Sequence, residues 1–156
     1  LSGPTTVGWS RADEAYVKNY AMYFTLAFVE INPKNVAQLA DALTTFIDPK
    51  IYTEMRAMVL AKAKNPVFNS ASASVQFVPT MPPIYEAETE TVFLQGNEVV
   101  STGFGKTDPK AVIYEVRVRM VEGKPLIYGF SSYYGTIPHT SEWKKLHKDD
   151  PNNAKA

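Results

Sequence analysis

The sequence predicts an α+β domain in which three N-terminal helices pack on one antiparallel sheet. Three dipeptides in which Asn or Asp precedes Pro divide the first 66 residues into blocks of helical length: Asn32-Pro33, Asp48-Pro49 and Asn65-Pro66. From Ala71 onward, apolar and polar residues alternate as they do in half-buried strands. Helices followed by a run of strands are typical of the α+β class, in which the helices gather on one face of the sheet.

The first helix is predicted to begin at Ser10, because Ser10 with Asp13 and Glu14 forms a capping-box-like start. It is predicted to end at Asn32, because a residue before proline is pushed out of the helical region. Positions three or four residues apart predict its stripe: Ala12, Tyr16, Tyr20, Tyr23, Ala27 and Ile31. After Tyr20 almost every side chain is apolar, so we expect this half to be buried on most of its circumference.

The next two helices are each predicted to begin at a pair in which Asn or Asp precedes Pro. Asn32 is predicted to cap the second helix, with Pro33 at the first helical position. Asp48-Pro49 starts the third helix in the same way, and Asn65-Pro66 ends it. The expected stripe of the second helix is Val36, Leu39, Ala40, Leu43, Phe46 and Ile47, and that of the third is Tyr52, Met55 and Val59.

The alternation predicts a sheet of four to five strands at 71–78, 85–95, 98–104, 112–120 and 126–134. A hairpin turn at Gly96-Asn97 joins the second and third, or the two are one long strand with a bulge at Gly96. One face of the last two strands is predicted to carry Val112, Tyr114, Val116, Val118 and Met120, then Leu126, Tyr128, Phe130 and Tyr134. One half-solvated antiparallel sheet fits this pattern.

We divide the chain into a flexible N-terminal end at 1–9, an α+β domain at 10–135 and a polar tail at 136–156. A short helix at 141–148 is predicted to turn Trp143 and Leu146 inward. The chain starts without an initiator Met or the apolar run of a signal peptide, and we interpret this as a cut end. The longest apolar stretch, 20–31, has 12 residues, whereas a membrane-spanning helix needs about 20.

Composition excludes several functions. Lys plus Arg and Asp plus Glu number 16 each among 156 residues, so no long-range field favours nucleic acid. Cysteine is absent, which excludes disulfides, thiolate nucleophiles and cysteine-ligated metals. His139 and His147 lack a third ligand at metal-binding spacing, and residues 103–106 lack the spacing of a phosphate-binding loop. We therefore predict no catalytic residue and no metal or cofactor site.

Two groups of residues are candidates for contacting a partner. Glu86, Glu88 and Glu90 alternate along one predicted strand face, where they are expected to point at water or at a basic partner. Arg117 and Arg119 are candidates for cross-strand pairing with this acidic row. Tyrosines of the first helix and last strand either fill the core and its rim or form a contact surface: Tyr16, Tyr20, Tyr23, Tyr128, Tyr133 and Tyr134.

From Tyr16 to Tyr134 the chain resembles the TraE family of conjugative type IV secretion systems. The matching stretches are YVKNYAMYFTLAFVEINPKNV, LADALTTFIDPKIYTEMRAMVLAKAK and the strand series VQFVP, GNEVVSTGFG, AVIYEVRVRMVEG and LIYGFSSYYG. No single motif is diagnostic, and the order and lengths of the stretches together carry the resemblance. The chain departs from the family pattern at 81–90, which is longer, at 106–109, which is shorter, and in its extended tail after Gly135.

The resemblance implies a nuclear-transport-factor-two-like fold, with the three helices on a strongly curved sheet. It implies the periplasmic domain of a single-pass inner-membrane protein whose membrane segment lies upstream of this chain. It also implies a non-enzymatic scaffold that forms homo-oligomers and binds other secretion components. No cofactor, small-molecule substrate or direct contact with nucleic acid is expected.

The rival interpretation is a small enzyme or ligand-binding domain with a pocket between the helices and the sheet. Such a site needs acidic or histidine side chains on the inward strand faces. The sequence instead predicts Val116, Val118, Met120, Tyr128 and Phe130 there, which favours the scaffold.

Overall fold

The structure, a computed structural model, describes residues 11–70 and 72–149. Its helices are α1 Arg11–Val29, α2 Val36–Thr44, α3 Tyr52–Ala63 and α4 Ser141–Leu146. Its strands are β1 Ser74–Pro79, β2 Ile84–Glu86, β3 Thr91–Thr102, β4 Gly105–Lys106, β5 Lys110–Val121 and β6 Lys124–Tyr134. The order confirms the predicted α+β class. Among the described helices, none combines the length and apolarity needed to cross a membrane. The predicted N-terminal end, the Ser10 cap and residues 150–156 lie outside the described residues.

α1 turns a different stripe toward the sheet from the one predicted. Its buried positions recur at steps of three and four residues: Val17, Ala21, Phe24, Thr25, Phe28 and Val29. Tyr16 and Tyr23 are 52% and 73% exposed, and of the described members of the predicted stripe only Ile31 is fully buried. Both stripes have the helical period. The phenyl rings face the sheet because a buried tyrosine hydroxyl must find a hydrogen-bond partner.

The predicted start and end of the third helix are confirmed, because Asp48-Pro49 precedes α3 and Asn65-Pro66 follows it. The side chain of Asp48 accepts a hydrogen bond from the amide of Lys50 at 3.0 Å, and that of Asn65 accepts one from Val67 at 3.0 Å. Each opens a short 3₁₀ turn, at Pro49–Ile51 before α3 and at Pro66–Asn69 after it. The Asx-Pro pairs therefore mark the boundaries of α3 through local hydrogen bonds.

The prediction for Asn32 and the second helix was wrong in detail. Asn32 Oδ1 accepts from the amides of Lys34 and Asn35 at 2.8 and 3.1 Å, which forms a turn instead of a helix cap. α2 therefore begins at Val36 and ends at Thr44, so Phe46 and Ile47 lie beyond it. The hydroxyl of Thr44 bonds the carbonyl of Asp41 at 2.6 Å, in competition with continued helix.

The sheet is antiparallel, in the order β1-β3-β5-β6, and the short strands β2 and β4 also pair with β3. The predicted hairpin at Gly96-Asn97 was wrong, and the alternative of one long strand holds for Thr91–Thr102, which is β3, whereas Tyr85 and Glu86 belong to β2. Gly96 lies in register with Pro79 on one side and Val112 on the other, so the long strand has no bulge there. A Cβ at Gly96 would lie 2.7 Å from Phe77 Cε1, which explains the glycine by close approach.

A β-bulge lies instead in β6, opposite Arg117 and Val118. Arg117 pairs with Gly129 and Val118 pairs with Ile127, which leaves Tyr128 as the extra residue. The predicted shared face of Leu126, Tyr128, Phe130 and Tyr134 was therefore wrong. Ile127 and Phe130 pack in the core, and Tyr128 turns to the other face of the sheet.

The inward face of β5 is confirmed for its first four members, Val112, Tyr114, Val116 and Val118, all buried. The opposite, outer face also buries side chains, at Phe93 and Ile113. The segment after β6 crosses that face, since Gln95 Nε2 donates to the carbonyl of Thr136 at 2.8 Å. The outer face is thus partly covered and partly exposed to solvent.

Candidate protein-binding surfaces

An apolar groove of about 480 Å³ runs between α1 and α2. The residues that line this α1–α2 groove are Tyr16, Asn19, Tyr20, Tyr23, Ala27, Leu39, Ala42, Leu43 and Phe46. None of these lining residues carries a charge. The three predicted α1 tyrosines thus lie together and line one mainly apolar groove.

Tyr20 connects α1 to the segment after α2 across the groove, and Tyr16 and Tyr23 lie exposed at the opening of the groove. The hydroxyl of Tyr20 donates to the carbonyl of Phe46 at 3.2 Å, and the two ring centroids are 5.1 Å apart. Burial raises the pKa of Tyr20 to about 12, so the phenol stays a hydrogen-bond donor at any physiological pH. Tyr16 packs edge-on against Tyr20 with a centroid distance of 6.4 Å. Tyr20 is therefore a structural member, and the exposed rings are the ones available to a partner.

Sequence reasoning missed Leu39 and Phe46 as groove residues and assigned both to the helix core. Phe46 reaches the groove because α2 has already ended at Thr44. The signal was present in Thr44-Thr45, since two adjacent β-branched residues are weak helix formers. The side chain of Leu39 is only half-buried, so one side of it stays open to the groove.

Tyr128 contacts charged neighbours on the outer face. The Arg119 guanidinium lies 4.2 Å from the centroid of its ring, and that of Arg117 lies at 6.0 Å. The hydroxyl of Tyr128 bonds Glu90 Oε1 at 3.2 Å, and Arg119 Nε lies 3.9 Å from the same oxygen. Burial, then the charge of Glu90, raises the pKa of Tyr128. Tyr128 therefore organises an ion pair on the outer face and is separate from the α1–α2 groove.

Tyr133 anchors a stack of four rings on the same outer face. His139 lies 4.0 Å from Tyr133, Trp143 lies 3.7 Å from His139, and His147 lies 4.2 Å from Trp143, all nearly parallel. The amide of His139 donates to the Tyr133 hydroxyl at 2.8 Å. Burial raises the pKa of Tyr133 and lowers that of His139, so both are held neutral. This ring stack fixes the C-terminal segment to the sheet.

Tyr134 ends β6 and is 56% exposed. Its hydroxyl donates to Glu98 Oε1 at 3.0 Å, and Lys110 Nζ lies 3.8 Å from its ring centroid. Tyr134 is thus held by neighbouring strands yet keeps open surface for contact.

The three glutamates do not share one strand face, so the predicted acidic row was wrong. Glu86 ends β2, whereas Glu88 and Glu90 lie in the following turn, where Glu90 has φ of 53°. Glu86 accepts hydrogen bonds from Thr89 Oγ1 at 2.7 Å and Ser141 Oγ at 2.8 Å. Glu88 is exposed, as expected of the whole row. The expected pairing with arginine occurs once, between Glu90 and Arg119.

The described residues contain no cluster of three His, Cys, Asp or Glu that could hold a metal ion. Between α1 and the sheet, aromatic rings fill the space: Phe28 lies 4.7 Å and Phe24 5.2 Å from Phe130, and Tyr114 lies 5.6 Å from it. Within residues 103–106, Gly103 and Phe104 form the turn into β4, and Phe104 is fully exposed. A further cavity of about 210 Å³ lies between α2 and α3 and is lined mainly by apolar side chains, with Arg56 among them.

The arrangement of helices on the antiparallel sheet is that of VirB8-like domains, the nuclear-transport-factor-two-like fold. Agrobacterium tumefaciens VirB8 superposes with a TM-score of 0.61 over 85% of this chain and 99% of its own, at 8% identity. The periplasmic domain of DotI superposes with a TM-score of 0.64 over 83% of this chain and 99% of its own, at 13% sequence identity. The TrwG component of the Bartonella birtlesii type IV secretion system superposes with a TM-score of 0.58 over 85% of this chain and 98% of its own, at 9% sequence identity.

The family model described as TraE protein matches residues 1–132, and the chain belongs to the TraE family of type IV secretion subunits. None of the curated proteins compared with the chain matches it. The resemblance found in the sequence is therefore confirmed at the level of family and fold.

Proposed function

We propose that this chain is the periplasmic domain of an inner-membrane assembly subunit in a conjugative type IV secretion machine. It acts as a non-enzymatic scaffold that associates with further copies of itself and with other secretion components. The α1–α2 groove carries this proposal, because exposed tyrosines around an uncharged apolar surface are typical of protein contacts.

The α1–α2 groove presents few side chains that could take part in catalysis. General acid-base or nucleophilic chemistry needs titratable side chains that converge on one cavity. The groove has no carboxylate, histidine or lysine among its lining residues, and the hydroxyl of Tyr20, one of its three tyrosines, is already bonded to the carbonyl of Phe46. Aromatic packing under α1 takes up the space in which the rival interpretation places a ligand.

Complementation of a transfer-deficient strain tests the proposal. The full-length protein with Tyr23→Asp would place a carboxylate at the mouth of the groove, where a partner would have to desolvate it. We expect conjugative transfer to fall at least about tenfold, since losing roughly 1.4 kcal/mol of binding free energy weakens the affinity for the partner tenfold. Ala57→Asp, on the exposed side of α3, is the matched control and should transfer like wild type. Wild-type transfer by both Tyr23→Asp and Tyr16→Asp would contradict the assigned surface.

Self-association is tested separately by sedimentation velocity of this domain from low to high micromolar concentration. A rising mean sedimentation coefficient, suppressed by Tyr23→Asp, is the expected result. Monomers throughout the range would show that the domain does not self-associate on its own.

A further inference from the structure

β6 lies at one edge of the sheet, so half of its backbone groups point away from β5. The amide of Gly135 donates to Ala111 on β5 at 3.0 Å, which fixes the alternation along the preceding residues. The outward-pointing positions after the bulge are therefore Phe130, Ser132 and Tyr134.

The beginning of this edge already binds an extended segment of the chain itself. The amide of Ile127 donates to the carbonyl of Phe46 at 2.8 Å, and the amide of Asp48 donates to the carbonyl of Ile127 at 2.8 Å. Ile47 and Ile127 thus form a parallel bridge that ends where Pro49 starts its 3₁₀ turn. The edge of β6 therefore pairs with an extended segment, and the chain itself provides this pairing at Ile127.

Beyond that bridge the edge is open. Within the described part of the chain, the outward backbone groups of Phe130, Ser132 and Tyr134 have no hydrogen-bond partner. Natural edges are protected by proline, charged side chains, β-bulges, a covering helix or loop, or very short strands. Residues 130–134 contain no proline and no charged side chain and lie beyond the bulge at Tyr128, with two exposed serines between aromatic residues. On the opposite side of the sheet, by contrast, β1 ends at Pro79, and β2 and β4 have three and two residues.

The open edge adjoins the α1–α2 groove. Phe46 belongs to both, because its carbonyl bonds Ile127 and its ring lines the groove. Phe24 and Phe28 of α1 contact Phe130 on the same edge strand. A strand placed beside residues 130–134 would therefore have its inward side chains next to the end of the groove.

We infer that residues 130–134 are a docking edge for an extended, uncharged segment of a partner, which adds to the sheet as a further strand. Five residues of strand span about 17 Å, the size of a peptide site and smaller than a stable domain interface needs. The uncharged groove beside the edge selects apolar side chains at alternate positions. The inference rests on the proposed scaffold function and specifies how one contact of that scaffold forms.

The test uses the ¹⁵N-labelled chain and a synthetic peptide, acetyl-Thr-Val-Thr-Tyr-Thr-Val-Thr-amide, followed by nuclear magnetic resonance. We expect the amides of Phe130, Ser132 and Tyr134 to shift and to gain protection from hydrogen exchange. The amides of Ser131 and Tyr133 already bond β5 and should change little. The same peptide N-methylated at alternate residues along one edge should lose binding at least tenfold, whereas N-methylation along its other edge should not.

Ser132→Pro removes one outward amide without breaking the β5 ladder and should weaken the peptide at least tenfold, whereas Ser132→Ala should bind within twofold of wild type. No shift at the three outward amides, or equal binding of both N-methylated peptides, would overturn the inference. The same shifts on concentrating the protein alone would identify a second copy as the occupant and overturn the partner assignment. Conjugative transfer by the Tyr23→Asp variant is measured in a separate experiment. A negative peptide-binding result would therefore overturn the docking edge without overturning the proposed scaffold function.

Discussion

The carboxylate of Glu86 accepts hydrogen bonds from both the amide and the hydroxyl of Ser141, at 3.0 and 2.8 Å. The two residues are 55 positions apart, on β2 and at the start of α4. Ser141 is the residue after Thr140, whose hydroxyl caps α4 by accepting from Trp143 at 3.2 Å. One carboxylate thus joins the C-terminal segment to the sheet.

Glu86→Ala should destabilise the domain by about 1–2 kcal/mol, because hydrogen bonds to a charged acceptor are lost at a half-buried site. Unfolding in urea measures the free energy, and hydrogen exchange should show faster exchange in α4. Glu88→Ala, two residues away and exposed, is the control and should change stability by less than about 0.5 kcal/mol. Equal effects of the two substitutions would contradict the assigned role of Glu86.

The contribution of Glu86 should depend on pH. Burial acts to raise its pKa, but hydrogen bonds from Thr89 and Ser141 and the nearby Lys144 lower it below the ordinary value of 4.5. A lowered pKa in the folded state gives stability that is present above pH 4.5 and is lost as the pH falls through the folded value. The stability gap between wild type and Glu86→Gln should therefore be full at pH 6 and shrink toward pH 3. A gap that stays constant or widens on acidification would count against this linkage.

Trp143→Ala should loosen the C-terminal segment, because the indole lies between His139 and His147 at 3.7 and 4.2 Å. Loss of a stacked, half-buried aromatic side chain should cost about 2 kcal/mol and lower the melting temperature by several degrees. Limited proteolysis should then cut the segment after β6 sooner than in wild type. Leu146→Ala on the same helix is the control, since Leu146 is 77% exposed, and should melt like wild type. The predicted inward position of Leu146 was wrong, because the short α4 presents only Trp143 to the ring stack.

Local chemistry made much of the fold predictable. Asp48 and Asn65 cap through bonds to amides two residues away, so their effect is encoded within each Asx-Pro sequence. The strand β5 was visible because apolar and polar residues alternate without a break from Tyr114 to Met120. Gly96 was ambiguous, since glycine serves both a turn and a close approach, and only the neighbouring β1 backbone decides between them.

The candidate site was less predictable for a physical reason. The tyrosines of α1 were identified, but a helix apolar on most sides does not reveal which stripe meets the sheet. Tyr128 left its expected face because of a bulge, which the adjacent Gly129 signals only ambiguously, since glycine in a strand also permits close approach. The hydrogen bond between Glu86 and Ser141 depends on the path of the C-terminal segment, and no local sequence pattern predicts such a tertiary contact.

Gly96→Ala should be among the most damaging single substitutions in the sheet. The added methyl would meet the carbonyl oxygen of Val78, Phe77 Cε1 at 2.7 Å and Pro79 Cα at 2.9 Å. Two of these neighbours are backbone, so relief requires separating β1 from β3, at a cost of about 2–4 kcal/mol. Gly103→Ala is the matched control, because its methyl would meet only the flexible Ser72 Oγ at 3.0 Å and should cost less than about 1 kcal/mol. Urea unfolding of both variants decides the point: if Gly96→Ala is as stable as Gly103→Ala, β1 does not approach β3 as closely as the register requires.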